Sequence, residues 1–204
     1  MCGTVGPAMI DAASREVWLH RALFVAIALG LLFWRLLPLP SPMMADCGGS
    51  AAWCRFTVWL MRMPGPDLLL CVIFAWMMRR PDYLPVILIA AVVLLEDMIL
   101  MRPPGLWSAI VLIASEFVRV RVALTRELNF GVEWLLVAGL MLAMLVIYRL
   151  AFAMVMVPQA GFGFAMLQVV WSVIFYPLVV FLSRYVLDLH KPAMGEIDAY
   201  GRRM

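Results

Sequence analysis

The residues of this chain that could do chemistry are five ionisable side chains inside long apolar runs: Glu96, Asp97, Glu116, Arg119 and Arg149. A charged group inside a bilayer is costly, so such residues commonly mark helix contacts, ion paths or proton relays. Three roles stay open for them: charge pairs that fix helix packing, a surface for a partner or a switch, and a proton relay or catalysis. The first role is favoured, because each acid has an arginine within reach.

Their positions predict two charge pairs. Glu116 precedes Arg119 by three residues, and this spacing places both side chains on the same side of a helix. Asp97 lies about 6 Å and Arg149 about 12 Å from the same end of their predicted helices. An arginine side chain is long enough to bridge that difference, so we expect Arg149 to pair with Asp97 or Glu96.

Signatures of catalysis and of metal or nucleotide binding are absent from the sequence. It contains no P-loop, no GxSxG and no HExxH. The two histidines, His20 and His190, lie at predicted helix ends far from any candidate nucleophile. The basic residues are dispersed, which does not favour nucleic-acid binding. We therefore expect no enzymatic activity, no cofactor and no metal site.

Composition places the chain in a membrane. Of its 204 residues, 66% are hydrophobic and 14% are charged, whereas soluble domains are about half apolar and about a quarter charged. At about 20 residues per crossing, this length accommodates about six helices. The expected fold is an all-α integral membrane protein, a single bundle over residues 1–204.

The apolar runs define the expected spans, which are roughly 19–37, 66–80, 83–101, 106–124, 132–157 and 162–187. The 66–80 run is short, which leaves a re-entrant segment as an alternative. Residues 38–64 form a loop in which 52–63 is amphipathic and suits a helix lying in the membrane interface. Cys47 and Cys54 lie in this loop, and their spacing permits a disulfide if the loop faces the periplasm.

Basic residues predict the orientation. With the N-terminus in the cytoplasm, most arginines fall on the cytoplasmic side of the six spans, as the positive-inside rule requires. Both termini are then cytoplasmic, and the loop at 38–64 is periplasmic.

An ordered set of short motifs resembles the MreD family of bacterial multi-pass membrane proteins. The set comprises Gly65-Pro66-Asp67-Leu68-Leu69-Leu70, Trp76, Arg79-Arg80-Pro81, Glu96-Asp97, the turn Arg102-Pro103-Pro104-Gly105-Leu106 and Tyr176-Pro177. The resemblance covers roughly residues 18–188. The chain departs from the family at Ala90-Ala91-Val92-Val93, where the family is glycine-rich, in its proline-rich turn, and in its longer periplasmic loop.

The resemblance implies a non-enzymatic scaffold of the cell-wall elongation (rod-shape) complex in the bacterial inner membrane. Such a protein binds the transmembrane helix of MreC and helps to couple MreB filaments to peptidoglycan synthesis by RodA and its penicillin-binding transpeptidase. It also implies a fold similar to the S subunits of energy-coupling-factor transporters. The residues expected to bind the partner or to shape the fold are Pro66, Asp67, Trp76, Asp97, Gly105, Tyr176 and Pro177.

Two other functions remain open. A substrate-binding S subunit of a vitamin transporter would need a polar pocket facing the periplasm, for which the sequence offers few groups, such as Gln159, Gln168 and Ser172. A proton-coupled carrier would use Glu116 and Asp97.

Overall fold

The computed structural model describes residues 7–37, 64–125, 129–156, 159 and 161–186, of which 7–14, 122–125 and 186 are described as helical backbone alone. Within these ranges the chain is all-helical and has no strand. Its elements are α1 (Pro7–Leu36), α2 (Leu68–Arg79), a 3-10 turn (Pro81–Tyr83), α3 (Val86–Ile99), α4 (Leu106–Thr125), α5 (Phe130–Met154) and α6 (Phe162–Val186). The predicted interfacial helix at 52–63, with Cys47 and Cys54, lies outside the described residues.

Three helices of the described part, α1, α5 and α6, are long and apolar enough to cross a membrane. Their outward faces carry large exposed hydrophobic side chains such as Phe33, Leu135 and Leu178. Because so much exposed apolar surface is unfavourable in water and favourable in lipid, the structure supports the expected class, a membrane-embedded helical protein.

Consecutive helices run in alternating directions between two ends of the bundle. Arg21 in the first half of α1 donates a hydrogen bond to the carbonyl of Asp82, just after α2, at 3.3 Å. The last turn of α1 instead lies beside the chain that enters α2. Later helices follow the same rule: the ring of Trp107 at the start of α4 lies 5.4 Å from the ring of Tyr148 near the end of α5.

We name the two ends of the bundle by one arginine each. The Arg35 end holds the last turns of α1, α3 and α5 and the first turns of α2, α4 and α6. The Arg79 end holds the opposite termini.

Helix α2 occupies the centre of the bundle. All of its residues from Leu69 to Arg79 are buried, and it packs mainly against α6 and α4. It has 12 residues, about 18 Å of helix, and it connects the Arg35 end to the Arg79 end without turning back. A short helix suffices here because protein surrounds it, so its ends need not meet lipid.

Local sequence sets the boundaries of α2 and α4. The Asp67 carboxylate accepts a hydrogen bond from the Leu70 backbone N–H at 3.3 Å and so caps the start of α2. Pro81 ends α2 and begins the 3-10 turn, since it has no N–H to continue a helix. Gly105 has a φ of +96° immediately before α4, a conformation that favours glycine.

Pro177 lies inside α6, and the hydrogen-bond donor that is missing there is supplied by another helix. Proline has no N–H, so the carbonyl four residues earlier, that of Val173, loses its usual helical partner. The indole N–H of Trp134 on α5 donates a hydrogen bond to this Val173 carbonyl at 2.9 Å. The α5–α6 contact therefore includes a hydrogen bond that the proline makes available.

Candidate functional site

Charged residues at the Arg35 end form an ion pair between α1 and α3. Arg35 Nη1 lies 2.6 Å from Glu96 Oε1. The Glu96 side chain is 2% exposed and that of Arg35 is 33% exposed. A carboxylate this deeply buried needs a compensating charge, so the pair fixes α1 against α3.

The neighbouring Asp97 organises the turn into α4. Its Oδ2 accepts hydrogen bonds from the backbone N–H groups of Gly105 (3.3 Å) and Ser108 (3.2 Å) and from the Ser108 hydroxyl (2.7 Å). The fully buried carboxylate thus satisfies donors at a helix N-terminus, where negative charge is favourable. Asp97 holds α3 and α4 together as a long-range cap.

The structure differs from the expected pairing of Arg149 with Glu96 or Asp97. Glu96 is paired with Arg35, and Asp97 caps α4. Arg149 instead donates a hydrogen bond to the Gly161 carbonyl at 3.2 Å, and its guanidinium lies 5.5 Å from the centre of the Phe162 ring. These two contacts link the end of α5 to the start of α6.

A second buried network lies at the Arg79 end. Arg79 Nη1 lies 3.2 Å from Glu133 Oε1, and the Tyr176 hydroxyl donates to the same oxygen at 3.0 Å. Both charged side chains are nearly inaccessible, at 7% and 1%. Arg79 ends α2, Glu133 is in the first turn of α5, and Tyr176 is on α6, so this network ties three helices together.

Glu116 and Arg119 lie one turn apart on α4, with Oε1 and Nε separated by 3.2 Å. Arg119 also donates to the Leu84 carbonyl at 2.5 Å. In contrast to Glu96, Asp97 and Glu133, which are buried, the Glu116 side chain is 41% exposed. The Glu116 side chain therefore lies partly at the outer surface of the bundle, with its Oε1 buried.

Two adjoining cavities open at the Arg35 end, with volumes of about 480 and about 400 Å³. Both are lined by Asp67, Arg102, Phe164 and Gln168. We call the larger one the polar cavity, because Arg35 and Glu96 complete its wall. We call the smaller one the apolar cavity; its further lining includes Leu70, Trp107, Met141, Leu145, Phe152 and Val169.

The residues expected to bind a partner lie mostly inside the bundle. Asp67, Trp76, Asp97 and Tyr176 are buried, so these four side chains shape the fold and are not accessible to another chain. The other three, Pro66, Gly105 and Pro177, are partly accessible. Asp67 lines both cavities as well as capping α2.

Sequence reasoning missed the Arg35–Glu96 pair and the network of Arg79, Glu133 and Tyr176. A usable signal exists for both. In an alternating bundle Arg35 and Glu96 fall at the same end, as do Arg79 and Glu133. A comparison of how deep each charged residue lies along its helix would have suggested these partners. Arg35 and Arg79 also lie at helix ends, however, where an arginine side chain can extend to the membrane interface instead.

Within the described ranges, no three side chains of the His, Cys, Asp and Glu types come together as metal ligands. No family model, no curated protein and no solved structure matches the chain.

Proposed function

We propose that this chain is a non-enzymatic scaffold of the rod-shape elongation complex, similar to MreD, and that its α4 surface binds the transmembrane helix of MreC. The proposal includes six membrane crossings, a location in the bacterial inner membrane and both termini in the cytoplasm. Through MreC the scaffold would couple MreB filaments to RodA and its transpeptidase.

The distribution of arginine supports this orientation. The described arginines at the Arg79 end are Arg15, Arg21, Arg79, Arg80, Arg119, Arg121 and Arg184, and those at the Arg35 end are Arg35, Arg102 and Arg149. Since basic residues concentrate on the cytoplasmic side of membrane proteins, the Arg79 end faces the cytoplasm in the proposal. The cavities then face the periplasm.

The observation that carries the proposed partner contact is the place of Glu116 on the outer surface of α4. Along this helix the outward stripe consists of Ala109, Ile113, Phe117 and Val120, all exposed, and Glu116 lies at its flank. Glu116 is about 15 Å along the axis from the first residue of α4 and about 14 Å from the last, which is mid-depth for a crossing helix.

A carboxylate at this depth is costly in lipid. Charged residues at the centre of a membrane helix cost about 2.5–3.5 kcal/mol on insertion scales. Arg119 offsets part of this cost, but its guanidinium is also used by the Leu84 carbonyl. A partner helix that covers Glu116 and supplies a hydrogen-bond donor would remove it from lipid, and interhelical hydrogen bonds of this kind are a common means of association in membranes.

A single-pass helix with a polar donor at mid-depth is the occupant that this surface fits. The apolar side chains around Glu116 provide packing, and the carboxylate fixes the depth and rotation of the incoming helix. The resemblance to MreD implies MreC as the protein that supplies this helix.

Co-purification of the tagged chain with MreC from cells, in mild detergent, tests the proposal. We expect near-stoichiometric recovery with the native chain and a three- to tenfold loss with Glu116→Leu, corresponding to about 0.6–1.4 kcal/mol for an interhelical hydrogen bond. Glu116→Gln keeps a polar group and should retain more of the partner.

A matched pair of bulky variants locates the surface. Ile113→Trp adds bulk to the outward face of α4, and Val146→Trp adds the same bulk to the outward face of α5; these residues are 71% and 50% exposed. We expect the first variant alone to reduce MreC recovery. Equal effects of the two variants would place the contact elsewhere, and absence of MreC from the native sample would overturn the proposed function.

The cavities at the Arg35 end favour a second candidate, a substrate-binding S subunit, because that function needs a pocket facing the periplasm. Gln159, Gln168 and Ser172 do line the apolar cavity. Co-purification of transporter ATPases in place of MreC would support this alternative.

A further inference from the structure

Arg102 is placed differently from the other arginines with described contacts. It follows α3, lines both cavities at the Arg35 end, and forms no ion pair among the described residues. Its guanidinium lies 5.7 Å from the centre of the Trp107 ring, which holds the group in position and leaves its N–H donors available.

Three other charged residues line the polar cavity, namely Arg35, Asp67 and Glu96. Arg35 and Glu96 neutralise each other at 2.6 Å. Asp67 accepts from the Leu70 N–H at the start of α2, where the helix dipole stabilises a carboxylate. Together the two cavities are lined by three arginines, Arg35, Arg102 and Arg149, and by two carboxylates, Asp67 and Glu96. The excess of one positive charge favours an anion, and Arg102 is the arginine at the junction of the two cavities.

The apolar cavity adds a second requirement. Aliphatic and aromatic side chains of α2, α4, α5 and α6 line it, among them Leu70, Met141, Leu145 and Val169. Its volume of about 400 Å³ lies within the range of small-molecule sites, about 300–1,000 Å³. Arg149, Tyr148 and Gln159 stand at one side of it and provide further polar atoms.

We propose that the cavities form a binding site for an anionic amphiphile, with its phosphate group at Arg102 and its apolar chain in the apolar cavity. A phosphate suits arginine because the guanidinium presents paired donors to its oxygens. A membrane lipid is favoured over a water-soluble phosphate ester because the phosphate site opens directly into an apolar chamber. This inference does not depend on the scaffold function, since no residue of the α4 outward face takes part.

Binding to the purified full-length chain in detergent tests the proposal by native mass spectrometry with titrated lipid. Phosphatidylglycerol and phosphatidylcholine with the same acyl chains form the matched pair of probes, the first anionic and the second zwitterionic. Glycerol 3-phosphate is the soluble probe. We expect one phosphatidylglycerol to bind with preference over phosphatidylcholine, and glycerol 3-phosphate to compete poorly.

Three variants assign the site. Arg102→Gln should weaken phosphatidylglycerol binding at least about tenfold, because hydrogen bonds to charged groups are among the stronger ones. Arg102→Lys keeps a cation and should retain most of the binding. Ala165→Leu adds bulk to the wall of the apolar cavity and should weaken lipid binding with Arg102 intact.

Arg121→Gln is the control. Arg121 also stacks on an aromatic ring, that of Phe117 at 5.0 Å, but at the opposite end of the bundle, so its loss should leave lipid binding unchanged. Equal binding of the two lipids, or equal effects of Arg102→Gln and Arg121→Gln, would overturn the proposal. Competition by glycerol 3-phosphate as strong as that by the lipid would overturn the assignment to an amphiphile. Retained MreC recovery in Arg102→Gln would separate this site from the partner surface.

Discussion

Replacement of Trp134 by phenylalanine tests whether a hydrogen bond between α5 and α6 compensates for the proline in α6. The indole N–H of Trp134 donates to the Val173 carbonyl at 2.9 Å, and that carbonyl has no helical donor because residue 177 is proline. Phenylalanine keeps an aromatic ring but removes the donor. The carbonyl would then be left without a partner in a region from which water is excluded.

The size of the effect follows from measured membrane hydrogen bonds. Double-mutant cycles within membrane proteins give about 0.6 kcal/mol on average and about 1.7 kcal/mol at most. We expect a value in this range for the coupling between Trp134 and Pro177. It corresponds to about a 3- to 18-fold change in the unfolding equilibrium.

Pro177→Ala makes the coupling measurable. Alanine restores an N–H at residue 177, which can donate to the Val173 carbonyl within the helix. Trp134→Phe should therefore cost less free energy of unfolding in the Pro177→Ala background than in the native one. The difference between the two costs is the coupling energy of the cycle.

Cys71 provides the assay. It is fully buried in the centre of α2 and forms no disulfide, so its thiol reacts only when the bundle opens. With Cys2, Cys47 and Cys54 replaced by serine, the rate of labelling by a thiol-reactive fluorophore across a detergent denaturant series gives the free energy of opening.

Trp171→Phe is the matched control, because the Trp171 indole N–H is buried without an acceptor among the described residues. The same chemical change should there be neutral or stabilising. A coupling below about 0.3 kcal/mol, within the error of additivity, would refute the reasoning. An equal cost for Trp134→Phe and Trp171→Phe would refute it as well, since the hydrogen bond would then have no measurable role.

Two further predictions concern the buried charges and use the same thiol assay. Arg79→Met should destabilise the bundle by about 3–5 kcal/mol, because it breaks a buried ion pair by removing the cation that lies 3.2 Å from Glu133. Tyr176→Phe should cost less, about 1.5–3 kcal/mol for one hydrogen bond to a charged group, and equal costs would contradict the ion pair as the dominant contact. Asp97→Ala should cost about 1–2 kcal/mol as the loss of a helix cap, and Ser108→Ala, which removes one of the three donors to Asp97, should cost clearly less; the reverse order would contradict the capping role.

Much of the fold could be predicted from the sequence because its determinants are local. The apolar runs that precede Pro38, Pro81 and Pro103 end where proline removes a donor or fixes φ. Helices α2 to α6 begin and end within about three residues of the predicted bounds, whereas α1 begins at Pro7, well before the predicted start at 19. The short α2 was ambiguous for a physical reason: hydrophobicity alone does not distinguish a helix enclosed by protein from one that turns back.

The charged contacts could be predicted only in part. Glu116 and Arg119 are three residues apart on one helix, so the 3.6-residue repeat alone places them together, at 3.2 Å. The pairing of Arg149 with Glu96 or Asp97 was wrong although the depth argument was sound, because several arginines share the Arg35 end and depth does not say which helix is adjacent.

The sequence by itself determined that this protein is helical, that it suits a membrane, and which residues most of the helices include. It also determined which end of the bundle each charged residue occupies. Hydropathy and the alternating direction of the helices suffice for this, because both act along the length of the chain. Only the tertiary structure decided that Glu96 meets Arg35, that Asp97 caps α4, and that Arg102 stands between two cavities. Those outcomes depend on the order of the helices around the bundle and on the rotation of each about its axis. Both are set by side-chain packing between segments far apart in the chain.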